Sequence, residues 1–314
     1  MQVVILAGGL SHERDVSEKS GRRLAEALRE FGHDVVVKDT DSSLLKFLAD
    51  KNPDVVIPML HGAAGEDGTL RDVLESLAIP YVGSTPDACR VSFDKPVAKS
   101  VISAAGIKAP QGVALPHATF RELGADAVMA AVLNRVGLPA MVKPARGGSA
   151  QGATIVTDAN QLPSALVGAF AYGEIAVVEQ FIDGTEVAAS VIETGEGLKV
   201  LPIVEILPDS GFYDYHHRYT AGITEFFCPA RLEEKVIQKI ENAAKVIHTT
   251  LNLRDFSRSD LIVDKNGEIW FIEVNVAPGL TETSLFPQSA EASDAELGAI
   301  FDALIKRAVL RGTK

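Results

Sequence analysis

Short apolar runs alternate with helical spacing over the first sixty residues of the chain. Residues 2–7, 35–38 and 55–59 read as strands, with a helical pattern over 16–31 between the first two. Near-continuous apolar strands separated by helices predict a parallel sheet covered on both faces. After a helix carrying Asp94 and Lys95, the stretch with Gly106, Pro110 and Gly112 reads as a linker. A second unit follows: helical spacing over 120–136, strands at 140–143 and 153–156, and a glycine-rich turn, PARGGSAQG, between them. Strands at 175–179 and 187–192, an amphipathic helix over 231–253, and two alternating runs at 261–263 and 269–274 complete the pattern before a closing helix.

The last two runs carry the most specific signal. They flank Asn266-Gly267, the strongest short-range hairpin signal. With those two residues at the centre of the turn, Asp260 lies opposite Glu273 and Arg258 opposite Asn275, all on one face. Directly opposed side chains sit roughly 5 Å apart, where two carboxylates repel by about 3 kcal/mol at an effective dielectric of 20. The flanking Ile269-Trp270-Phe271-Ile272 is too apolar for a solvated ribbon, so the acids need a partner. An all-oxygen set of Asp260, Glu273 and Asn275 suits a magnesium ion that keeps positions open for water and phosphates.

Composition narrows the classes. At 314 residues, 46% hydrophobic and 23% charged, the chain has room for two or three globular domains. A net charge of −12 disfavours a nucleic-acid backbone as partner, so any phosphate site must be local. Cys89 and Cys228 have no metal-ligand spacing and read as structural thiols in a reducing compartment. The amino-terminal apolar run is too short for a signal peptide, and no run of 18 apolar residues occurs, so a cytoplasmic protein without a membrane segment is expected. GGLSHE lacks the dinucleotide fingerprint spacing, which removes a nicotinamide oxidoreductase. PARGGSAQG, with Lys143 at its edge, can wrap a phosphate in successive backbone amides. Glu13 and His61 sit after strands of the opening unit, where polar site residues gather. Phe181 lies beside Glu179 and Glu186 in a strand able to read an adenine edge, and residues 211–225, GFYDYHHRYTAGITE, form a long aromatic loop read as a lid.

In that order, LAGGLSHERDVS, LHGAAGEDGTL, FDK, VKPARGGSAQG, VEQFIDGTEV, FYDYHHRYTAGITEFFCPA, SRSDLIV and FIEVNVAPGLTETSL resemble the D-alanine–D-alanine ligase family of the ATP-grasp superfamily. The resemblance runs nearly end to end. It implies an α/β protein with α+β elements and a three-domain ATP-grasp architecture. The parts are a Rossmann-like amino-terminal sheet over 1–95, a central lobe over 96–183, and a carboxy-terminal lobe over 184–314 with the metal site and lid. ATP would lie between the later two lobes, its phosphates on Lys95, Lys143 and Arg218, and its adenine and ribose among Glu179, Phe181, Ile182, Glu186 and Ile272. Two Mg²⁺ (or Mn²⁺) would be held by Asp260, Glu273 and Asn275. Glu13, with Ser149 and Tyr219, would bind the ammonium of the first D-alanine, and His61 would stand on the substrate side. Ser284 and Leu285 would receive the carboxylate of the second D-alanine, while Arg258 and the Gly279 amide would stabilise the tetrahedral oxyanion. The expected reaction runs through an acyl phosphate to D-alanyl-D-alanine for peptidoglycan, in a homodimer, with residues 212–224 closing over the intermediate. Alternatives are a ligase of other amino acids or one with a different second substrate. Ala150, Gln180 and His216-His217 depart from the family pattern. Tyr219, where some relatives have phenylalanine, favours D-alanine over D-lactate.

Overall fold

The computed structural model describes residues 1–195, 197–209 and 222–312. Among the described residues the strands form three sheets. In the first, β1 (Gln2–Leu6) lies between β2 (Asp34–Lys38) and β3 (Val55–Pro58), all parallel. The helix Arg14–Glu30 packs its buried Leu24, Ala25 and Leu28 against this sheet. The carboxy-terminal helix Leu297–Arg311 returns to the same core through Phe301, Leu304 and Ala308, so the two ends of the chain share one hydrophobic interior. Asp255, fully buried, locks that return: its oxygens accept from the Arg311 guanidinium at 2.8 and 2.9 Å and from Gly83 N–H at 2.7 Å.

The second sheet is antiparallel, in the order β4 (Gly112–Pro116), β7 (Ile175–Gln180), β5 (Ala140–Pro144), β6 (Thr154–Val156). One helical pattern is divided here. The spacing over 120–136 folds as two helices, His117–Leu123 and Ala125–Val136, because Gly124 at φ 86° leaves the helical region between them.

The third sheet runs β11 (Thr224–Phe227), β10 (Val204–Pro208), β8 (Gly184–Glu193), β12 (Phe256–Asp264), β13 (Ile269–Asn275), with β9 (Leu198–Val200) also on β8. The helix Glu234–Thr250 covers one face with Ile240, Ala244 and Ile247. The helices Pro86–Phe93 and Lys95–Ala104 pack into that same core through Ala88, Cys89, Ala98 and Ile102, which brings Lys95 to the junction of the sheets.

The β12–β13 turn differs from the two-residue turn expected from Asn266-Gly267. Asp264 N–H bonds Glu268 O at 3.0 Å, and Gly267 N–H bonds Asp264 O at 2.9 Å, so Lys265, Asn266 and Gly267 form a three-residue loop with Gly267 at φ 71°. The cause is Asp264, whose Oδ1 accepts from the amides of Asn266 and Glu268. That loop puts Val263, Ile262 and Leu261 opposite Ile269, Trp270 and Phe271, one residue out of step with the expected pairing. A bulge at Ile272 then takes up the extra residue, and Asp260 lies opposite Glu273 and Arg258 opposite Asn275. The two irregularities cancel at the polar end of the hairpin.

Candidate active site

Two adjoining cavities, of about 240 and 100 Å³, lie where the three sheets meet. Both are lined by Lys95, Gly147, Gly148 and Glu273. A molecule in one therefore meets a molecule in the other across a cationic side chain, a glycine-rich backbone and a carboxylate.

The glycine-rich loop joins the antiparallel strands β5 and β6, and its shape is set by left-handed residues: Gly147 at φ 121°, Ser149 at 53°, Ala150 at 54° and Gly152 at 68°. It is pinned to the start of the helix Lys95–Ala104. Lys95 N–H bonds Ala145 O at 3.0 Å, Lys95 Nζ donates to Gly147 O at 2.5 Å, and Arg146 Nε donates to Asp94 Oδ2 at 3.0 Å. The Lys95 ammonium also stands 3.2 Å from Glu273 Oε2, tying the loop to the β12–β13 hairpin.

Met141, Phe181, Ile182, Leu207, Ile262 and Ile272 give the larger cavity its apolar walls, while Lys143, Glu179 and Glu186 line it with charge. Such a mix suits a flat heterocycle with a charged tail. The bulge aims both Ile272 and its neighbour Glu273 at this cavity, which strict alternation along a strand forbids. Glu179 is 2% exposed and takes two ammonium groups, Lys143 at 2.8 Å and Lys99 in a tighter contact. Burial pushes the Glu179 carboxyl up, but Lys143 and Lys99 together hold it below its ordinary value. The same carboxylate holds Lys143 above its ordinary value against burial. Lys99, desolvated and repelled by Lys143, is pushed down to about 7.

The smaller cavity gathers Glu13, His61, Ser149, Arg258, Asn275, Gly279, Ser284 and Leu285. They come from segments far apart in the chain. Ser149 Oγ donates to Glu13 Oε1, joining the phosphate-type loop to the first turn of the amino-terminal helix. His61 is 3% exposed, its Nε2 is 3.3 Å from Ser20 Oγ, and burial aided by the Arg258 charge pushes it down to about 4, so the imidazole is neutral near pH 7. Ser284 Oγ lies 2.8 Å from Thr281 Oγ1 and accepts from Thr281 N–H at 3.1 Å. A Cβ on Gly279 would fall 2.9 Å from that Ser284 oxygen.

Asp260 lies just beneath the cavity wall. It is 3% exposed, and its two oxygens accept from Arg258 Nε at 2.7 Å and Nη2 at 2.9 Å. Asn275 Oδ1 accepts from Ala277 N–H at 2.8 Å and keeps a second lone pair. Among the described residues no three His, Cys, Asp or Glu side chains form a metal cluster. The oxygen set nevertheless fits magnesium, which binds through one or two carboxylates and completes its shell with water and phosphates. Both carboxylates are held by cations here, Asp260 by Arg258 and Glu273 by Lys95.

Arg218, Tyr219 and residues 212–221 of the expected lid lie outside the described residues. Two groups escaped the sequence reading. Lys99 was signalled only by standing four residues after Lys95 on a helix. Glu66 lines the smaller cavity, 7% exposed, with Gly62 N–H donating to its Oε1 at 2.8 Å. Burial, reinforced by the negative charge of Glu13, pushes Glu66 up to about 8. Its place inside the glycine-rich LHGAAGEDGT was the one available signal.

Family models for the D-ala D-ala ligase C-terminus and N-terminus match residues 101–307 and 40–84. A D-alanine--D-alanine ligase of Aquifex aeolicus (strain VF5) is 40% identical over 305 residues, 97% of this chain and 98% of that protein. Among solved structures, the D-alanine--D-alanine ligase of Bacillus anthracis complexed with ATP superposes with a TM-score of 0.82 at 28% identity, covering 99% of this chain and 98% of the other. The VanG D-Ala:D-Ser ligase of Enterococcus faecalis does so with a TM-score of 0.83 at 29% identity, covering 98% of each.

Proposed function

Because the chain belongs to the D-alanine–D-alanine ligase family, we propose that its two joined cavities are the nucleotide and amino-acid halves of one ligase site. The protein is an ATP-dependent ligase that joins two D-alanines into D-alanyl-D-alanine, a peptidoglycan building block, and ATP is its co-substrate. The observation that carries the assignment of halves is their shared wall of Lys95, Gly147, Gly148 and Glu273. A γ-phosphate entering from one side and a substrate carboxylate from the other would meet there.

On this reading adenine and ribose lie among Phe181, Ile182, Ile272, Glu179 and Glu186, and Lys95 and Lys143 neutralise the phosphates, with Arg218 joining them. Glu13, oriented by Ser149 and joined by Tyr219, takes the ammonium of the first D-alanine, and neutral His61 offers a hydrogen bond without charge. A carboxylate is a poor acyl donor, so its oxygen first accepts the γ-phosphoryl group. The second D-alanine, its carboxylate at Ser284 and Leu285, attacks the carbonyl through its amine. Arg258 and the Gly279 amide hold the oxyanion, phosphate leaves, and the amide remains. Asp260, Glu273 and Asn275 would hold a pair of magnesium ions, which supply charge neutralisation at the transferring phosphate when bound. Residues 212–224 would close over the acyl phosphate, since water hydrolyses it. The domain boundaries at 95/96 and 183/184, a homodimer and a cytoplasmic location belong to the same proposal. Among the described residues no helix is long and apolar enough to cross a membrane.

The test is phosphate release from ATP and Mg²⁺ with D-alanine, D-serine, D-lactate or L-alanine, and mass measurement of the product. D-alanine-dependent release with the mass of the dipeptide is expected. A larger rate when D-serine accompanies D-alanine, with the mixed dipeptide as main product, would move the protein to the specificity named for the VanG structure.

A further inference from the structure

Lys99 is a buried ion beneath the larger cavity that lines neither cavity. It sits on the helix Lys95–Ala104 one turn after Lys95, and positions four apart share a helix face. Lys95 reaches the surface shared by the cavities, whereas Lys99 stops one layer beneath, 7% exposed, with its ammonium on Glu179 Oε2. The other Glu179 oxygen, Oε1, faces Lys143 at 2.8 Å. Glu179 and Lys143 come from neighbouring strands, offset by two residues on the same face of the sheet, because Met141 is the residue directly opposite Glu179. The three groups form a triad: both lysines hold the one carboxylate, Lys99 from the interior and Lys143 from the cavity wall, and the two lysines also touch each other.

Stability gives little reason for an ammonium at 99. A methionine of similar length fills the same space without a desolvation cost and leaves Glu179 its pair with Lys143, so the carboxylate is not orphaned. Position gives a reason. A carboxylate held at one oxygen only can swing toward Lys143 and close a one-to-one ion pair, which withdraws that cation from a phosphate. Held at its far oxygen, Glu179 is fixed in direction, and its negative charge is divided between two cations. Burial first and the neighbouring Lys143 charge after it push Lys99 down, against the pull of Glu179.

Resting on the ligase reading for the identity of the ligand, we infer that Lys99 is a positioning residue that anchors Glu179 from behind and so keeps Lys143 presented to the nucleotide phosphates. The effect falls chiefly on the phosphates: of the nucleoside's neighbours only Glu179 is disturbed, while Phe181, Ile182, Ile272 and Glu186 keep their places. Lys99→Met should weaken ATP binding roughly ten-fold or more, on the scale of a lost hydrogen bond to a charged group, while adenosine affinity stays within about two-fold. Lys99→Arg, which keeps the cation, should recover most of the ATP affinity. The KM for D-alanine should not follow the KM for ATP.

Titration calorimetry of the full chain with ATP and with adenosine, each with Mg²⁺, reads both affinities. Equal weakening of the two ligands would show a general loss of structure and overturn the inference, as would ATP affinity unchanged in Lys99→Met. If Lys99→Met does not fold, the same two affinities are read on Lys99→Gln, which keeps a polar group without the charge and should show the same split. Binding is measured without turnover, so a wild type that binds ATP but joins no D-alanine would sink the ligase reading and leave the Lys99 comparison to be decided on its own affinities.

Discussion

Substituting Asp260→Asn tests the polar end of the hairpin where its charges oppose each other. Asp260 and Arg258 are 3% and 7% exposed, and two hydrogen bonds of 2.7 and 2.9 Å join them. Removing one member of a buried pair costs about 3–5 kcal/mol, because the other charge stays in the interior. Against this, Asn relieves repulsion between residues 260 and 273, at most about 3 kcal/mol for bare charges roughly 5 Å apart. Arg258 and Lys95 already screen that repulsion, so the loss dominates, by about 2–3 kcal/mol. Arg258→Met should cost a similar amount, and the double variant far less than the sum, giving a coupling of about 3 kcal/mol. Trp270, the only tryptophan, sits on β13 of this hairpin, so its fluorescence during urea unfolding reports on the element perturbed. Added Mg²⁺ with ADP should raise the wild-type midpoint and leave the Asp260→Asn midpoint nearly unmoved. Additive single losses, or an Asp260→Asn enzyme with wild-type turnover at every Mg²⁺ concentration, would refute the reasoning.

Other consequences can be checked separately. Gly279→Ala places a Cβ 2.9 Å from Ser284 Oγ; the displaced serine should raise the KM of the acceptor D-alanine several-fold and leave the KM for ATP unchanged in initial-rate measurements. Glu13→Gln removes the charge that Ser149 orients, and steady-state kinetics should show kcat/KM for D-alanine falling roughly 10- to 100-fold, the scale of a charged hydrogen bond. Acid stability has two opposing parts. His61 and His248 are pushed down to about 4 by burial, so their contribution is complete above their unfolded value of 6.5 and is lost as pH falls toward 4. Glu66, pushed up to about 8, favours the folded state below its unfolded value of 4.5 and loses that contribution as pH rises through 8. Between these unfolded values the two histidines outweigh the one carboxyl, so stability should rise by about 1.4 kcal/mol per pH unit. Glu66→Gln should steepen that slope in urea midpoints measured across the same window.

Local sequence was enough for most of the elements, while the family resemblance named most of the cavity residues. Apolar runs marked the parallel strands, glycine spacing marked the loop that carries Ser149, and Asn266-Gly267 marked the hairpin. These signals are local because backbone preference and side-chain periodicity act over a few residues. The face shared by Asp260 and Glu273 was also legible, though through an assumed two-residue turn, when in the molecule a three-residue loop and a bulge at Ile272 offset each other. Outside that hairpin, tertiary structure alone decided which partner each buried charge meets. Nothing near Lys99 in the sequence announces Glu179, 80 residues away, and nothing near Glu66 announces how burial beside Glu13 keeps its proton. The partner of a buried ion is set by which elements pack together, and the cost of leaving it unpaired is paid only in the folded interior, where water cannot reach.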